Sequence, residues 1–188
     1  MALILVLSLA SATASLSAQE PPRHASNQSG PRAIEEFDDE IARYMALRRK
    51  LRDEIKSLHP NSTPVEIVNT SDALANAIQR ARPRSQARVF FSPPTTELLK
   101  RRIVDVIRTE NLTAVLANID DEGPAPKAVT VYLRFPASSQ MATMPPSLLA
   151  VLPPLPKGLE YRVIGTALVL RDIDAALVID YIPGAIPR

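Results

Sequence analysis

An α+β fold follows from three features of this 188-residue chain. Its first half carries apolar residues three and four apart, the spacing of helices with one buried face. Its second half carries short runs of alternating or continuous apolar residues, the signature of strands. Between them lies Asp120-Asp121-Glu122-Gly123-Pro124-Ala125-Pro126, a turn-rich stretch that neither element tolerates. The expected architecture is an N-terminal layer of three to four helices, the first long and amphipathic, with a C-terminal antiparallel meander. The helical region spans 33–119, the linker 120–128, and the β-rich region 129–188 packs on the helices as one unit.

Residues 1–18 carry no charge. The apolar stretch Ala2–Leu9 followed by small residues reads as an export signal, because a membrane span needs about 20 apolar residues. Cleavage is expected after Ala14 or Ala18, although no Lys or Arg follows Met1. The chain is thus expected to be periplasmic or secreted, with no membrane span once the signal is removed. It has no cysteine, which excludes a disulfide framework, a lipidated cysteine and thiolate metal sites. Residues 19–32, rich in Pro, Ser, Asn and Gln, read as a disordered tether.

The first helix is expected over 33–58. Ile34, Phe37, Ile41, Tyr44, Leu51, Ile55 and Leu58 form its apolar stripe, and Arg48 occupies the one broken position. Acidic residues early and basic residues late complement the helix dipole. Such a stripe can zip with a second copy through residues 34–58 or pack inside its own chain, and Arg48 at the seam favours the second. Thr63-Pro64-Val65-Glu66 is a capping box that opens a second helix reaching Arg82, with Ile67, Leu74, Ile78 and Ala81 inward. Ser92-Pro93-Pro94 introduces a third, about Thr95 to Arg108, with Leu99, Ile103, Val106 and Ile107 inward. A short fourth helix is expected over Leu112–Ile119.

In the second half, Val129, Val131, Leu133 and Phe135 alternate with Thr130, Tyr132 and Arg134, which predicts a strand. Two proline pairs bracket Ser147–Leu152 as a helix of one or two turns. Three further strands are expected at Leu159–Ile164, Ala167–Arg171 and Leu177–Ile182, with turns at Gly165-Thr166 and Asp172-Ile173-Asp174.

Few residues suggest chemistry. His24 and His59 lack a partner histidine at helical spacing, and His59 reads as a helix-end cap. No serine sits in a nucleophile motif, and five glycines build no phosphate-cradling loop. Asp120, Asp121 and Glu122 read as solvated linker. Asp172 and Asp174 read as turn residues accepting backbone hydrogen bonds. Asp180 is placed by strand alternation to pair with Arg162 or Arg171.

From Arg43 to Arg108 there are fourteen Lys and Arg against six Asp and Glu, whereas the whole chain is only +2. Arg80, Arg82, Arg84 and Arg88, with Lys100, Arg101 and Arg102, form the candidate binding set for an anionic partner. Export and scarce aromatics disfavour nucleic acid.

Pro145–Leu149, Glu160–Gly165, Leu168–Asp172 and Ala176–Ile182 resemble the C-terminal module of small periplasmic proteins. That group includes nickel/cobalt homeostasis proteins and exported bacterial proteins of unassigned activity. The resemblance implies a small β module in the periplasm and carries over no catalytic residue. The leading expectation is therefore a non-catalytic exported protein that binds an unknown protein or an anionic envelope polymer, with no cofactor and no metal. The alternatives are a hydrolase using Asp174 or Asp180 with a borrowed metal, and an envelope-stress or metal-homeostasis adaptor.

Overall fold

The computed structural model describes residues 25–55, 58–84, 88–111, 128–135 and 144–187. The expected export signal, the fourth helix expected over 112–119 and linker positions 120–127 lie outside the described residues. Helix α1 runs Ala25–Asp53, α2 Pro64–Ala81, α3 Pro93–Thr109 and the short α4 Pro146–Ala150. Strands β1 Leu159–Ile164, β2 Ala167–Asp172 and β3 Leu177–Ile182 form an antiparallel sheet in the order β1-β2-β3. The fold is α+β. No helix among the described residues is long and apolar enough to cross a membrane.

Helix α1 starts eight residues before the apolar stripe predicts, so residues 25–32 are helix rather than tether, even with Pro31 inside. Contacts distant in sequence support this turn: the Thr95 hydroxyl donates to the Ala33 carbonyl at 3.1 Å, and Gly30 lies beside Leu98. At its other end α1 stops at Asp53, and the Ile55 N–H closes a tight turn on the Arg52 carbonyl. The stripe is spent within the chain, with Phe37, Ile41 and Tyr44 buried in the shared core.

The two later helices begin where their caps dictate. In α2 the Thr63 hydroxyl accepts from Glu66 N–H, and the Glu66 carboxylate accepts from Thr63 N–H at 2.9 Å. In α3 the Ser92 hydroxyl accepts from Thr95 N–H, with prolines in the first turn. Leu74, Ile78, Leu99, Ile103 and Ile107 are buried as expected, but Ile67 is 50% exposed. The inward face of α2 is confined to its second half, at Leu74, Ala75 and Ile78.

One apolar cluster takes in all the helices and one face of the sheet. The opposite face carries a smaller cluster, Ile164, Ala167, Val169 and Val178, covered by Val129, Leu133 and Phe135. That cover is not the predicted strand. Tyr132 adopts φ +68°, which breaks the extended run and leaves an isolated bridge from Arg134 to Leu177 of β3 in place of a strand. The alternation did not mark the buried side chains: Val131 and Tyr132, neighbours in sequence, are both buried in the main core, while Val129, Leu133 and Phe135 are only partly buried over the opposite face.

Candidate functional site

The polar core of the molecule joins α1 to the β2–β3 turn. Arg48 leaves the apolar stripe and donates Nε–H to Asp172 Oδ2 at 2.7 Å and Nη2–H to Asp174 Oδ2 at 2.5 Å. The Tyr44 hydroxyl donates to the same Asp172 oxygen at 2.7 Å, and Arg52 donates to Asp174 at 2.8 Å. Asp172 Oδ1 accepts from Ala175 N–H at 3.0 Å, the turn role expected of it. Burial, then the neighbouring Asp172 charge, push the Tyr44 hydroxyl well above its ordinary pKa. Burial alone would weaken the Arg48 charge, but Asp172 and Asp174 outweigh it and hold the guanidinium above its usual value.

Asp180 is fully buried and pairs with neither Arg162 nor Arg171. A register shift between Leu170 and Arg171 sets Asp180 opposite Leu170 on the helical side of the sheet. A bulge adds a residue to one strand and re-aims the side chains beyond it, so plain alternation fails there. The Asp180 Oδ2 accepts from Phe90 N–H at 3.1 Å and Phe91 N–H at 3.0 Å, and its Oδ1 from Tyr181 N–H at 2.8 Å. Burial raises its pKa against the pull of those bonds and of Arg88. Arg162 and Arg171 instead both donate to Glu160.

Asp180 thereby positions a loop that sequence reasoning missed. Phe91 stacks on Phe37 at 5.9 Å, and Phe90 meets Tyr44 edge-on at 5.6 Å. The Arg82 guanidinium lies 4.7 Å from the Phe90 ring centre and 5.3 Å from that of Tyr44. The available signal was Phe90-Phe91 itself, two adjacent aromatics just before the Ser92 cap.

The seven candidate basic residues divide into two groups. Burial raises the pKa of the Tyr132 hydroxyl against the pull of the Arg82 and Arg84 charges, and that hydroxyl donates to the Arg82 carbonyl. Arg88 lies 4.5 Å over the Tyr181 ring and donates to the Tyr181 carbonyl at 3.2 Å. Arg80, Arg84 and Arg88 are exposed, and neither Arg80 nor Arg84 meets a carboxylate among the described residues. On α3, Lys100 is half-buried, Arg101 is exposed, and Arg102 donates to the Val151 carbonyl at 3.2 Å beside α4.

His59 is exposed, and its backbone N–H donates to Ser62 Oγ at 2.8 Å. Asp174 faces Arg48 and Arg52, and Asp180 faces the Phe90 loop, so the two carboxylates converge neither with each other nor with His59. No group of three His, Asp or Glu side chains among the described residues is placed to hold a metal ion. Beside Asp174, a groove of about 460 Å³ runs past Ile67, Val68 and Ile173. Comparison with known proteins finds no matching family, no matching curated relative and no matching solved structure.

Proposed function

We propose that this chain is a non-catalytic exported protein, periplasmic or secreted, that works by binding an anionic envelope component or an acidic protein partner. The observation that carries the reading is the surface around Tyr132 and Tyr181. There Arg84 and Arg88 are exposed, Arg88 over the Tyr181 ring, with Arg80, also exposed, in the last turn of α2 and Arg82 stacked internally on Phe90. Guanidinium forks bind carboxylate and phosphate in a bidentate manner and stack on aromatic faces. The carboxylates of Asp172, Asp174 and Asp180, by contrast, are occupied with Arg48, Arg52 and backbone N–H groups.

Two measurements test the two halves of this reading. Protein recovered outside the cytoplasm is expected to begin at Ser15 or Gln19; an intact chain confined to the cytosol would refute export. The processed chain is expected to bind an anionic polymer in a salt-sensitive way, and Arg80→Glu/Arg84→Glu to lose that binding. Undiminished binding by this variant would refute the assigned surface.

A further inference from the structure

Strand β1 ends the sheet, and its outer edge is unpaired among the described residues. The Ile173 N–H donates to the Gly158 carbonyl at 2.9 Å, and Glu160 and Arg162 stand opposite Arg171 and Val169. In an antiparallel ladder this phase turns the backbone groups of the even-numbered residues toward β2 and those of Leu159, Tyr161 and Val163 outward. The Leu159 N–H is taken by the Pro156 carbonyl at 3.2 Å. Nothing among the described residues bonds the N–H or C=O of Tyr161 or Val163. These edge residues keep 5–6% of their surface, whereas Leu168, Val169 and Leu170 on the central strand keep none. The other edge differs: residues 132–135 bond to Ala176 and Val178, and Arg88 bonds the Tyr181 carbonyl. Alongside β1 lies a mostly apolar groove of about 420 Å³, lined by Leu149, Pro154, Leu155 and Tyr161.

We infer that β1 pairs with β1 of a second copy, antiparallel across a two-fold axis at Tyr161, to make one continuous six-stranded sheet. The charges select this occupant and this register. With Tyr161 opposite Tyr161 of the second copy, Leu159 meets Val163 and the outward backbone groups exchange hydrogen bonds. Glu160 then stands opposite Arg162 of the second copy, twice over, as a closely spaced cross-strand pair. Centring the axis on Arg162 sets Arg162 against Arg162, and centring it on Glu160 sets Glu160 against Glu160. A shift by one residue loses the hydrogen bonds. Strand addition at an edge draws affinity from the main chain and specificity from adjoining side chains.

The chain has no cysteine, so engineered thiols report the register cleanly. Across the proposed axis, positions 160 and 162 form a non-hydrogen-bonded pair with Cα atoms about 4.5 Å apart, inside disulfide range. Glu160→Cys and Arg162→Cys, mixed and oxidised, are expected to give a covalent heterodimer that neither variant gives alone. Sedimentation of the unmodified chain is expected to show the mass of two chains. Arg162→Glu, which sets carboxylate against carboxylate, is expected to show the mass of one with an unchanged circular dichroism spectrum. A single-chain mass for the unmodified protein throughout the micromolar range would overturn the proposal, as would a dimer indifferent to Arg162→Glu. A monomer that instead adds an extended peptide from another protein along β1 would overturn it too.

Discussion

Arg48 on α1 and Asp172 at the end of β2 are joined by a 2.7 Å ion pair, with Asp172 sealed from solvent and Arg48 nearly so. The pair fastens the helical layer to the sheet. Tyr44 at Asp172 and Arg52 at Asp174 add to it, and the remaining contact is apolar packing with little directional preference, so this polar cluster fixes how α1 sits on the β2–β3 turn.

Removing one partner of such a pair leaves a buried charge uncompensated. Arg48→Met is therefore expected to lower stability by about 3 kcal/mol, measured as a shift in the urea midpoint at constant slope. Arg48→Met/Asp172→Asn leaves no buried charge and is expected to be the more stable of the two variants. If the double variant is worse than the single, the uncompensated charge is not the cause.

Gly158 faces this pair. Its φ is +99°, and a Cβ there would come 2.9 Å from Arg48 Nη2. Gly158→Ala is expected to cost about 1–3 kcal/mol, from backbone strain and from displacement of Arg48. In an Arg48→Met background the second part disappears, so the two substitutions should be less than additive in a double-mutant cycle.

Acid should loosen the same junction. Burial raises the Asp174 pKa, but Arg48 and Arg52 outweigh it and hold the carboxyl below its ordinary value. The unfolded chain then takes up the proton more readily than the folded one. The contribution of Asp174 is complete above pH ~4 and is lost as pH falls through the lowered folded value. Asp180, with a raised folded value, has the opposite sign: its contribution is complete below pH ~4 and is lost as pH rises through the raised value. Asp174→Asn is expected to make the acid side of the stability profile shallower, read from urea midpoints between about pH 7 and pH 2.

What was legible in the sequence was local. The caps at Thr63 and Ser92 and the limits of β1 and β3 depend on residues a few positions apart, and the structure has them as predicted. What was not legible depends on distant partners or on single backbone angles. The break at Arg48 showed in the stripe, but its partners lie more than a hundred residues away. The facing of Asp180 depends on a bulge, and the loss of the strand at 129–135 on the φ of Tyr132. Among the candidate basic residues, charge counting did not separate exposed Arg80 and Arg84 from Arg82, which stacks on Phe90, or Arg102, which caps a carbonyl.

The binding surface is tested most directly by two variants of equal net charge. Affinity for a sulfated polysaccharide would be measured by titration across a salt series, with Arg80→Glu/Arg84→Glu compared against Arg49→Glu/Arg108→Glu. All four arginines are exposed. The account predicts that the first variant loses at least about tenfold in affinity, about 1.4 kcal/mol, while the second stays close to the parent chain. Equal losses in both would mean that overall charge, and not the surface around Tyr132 and Tyr181, does the binding.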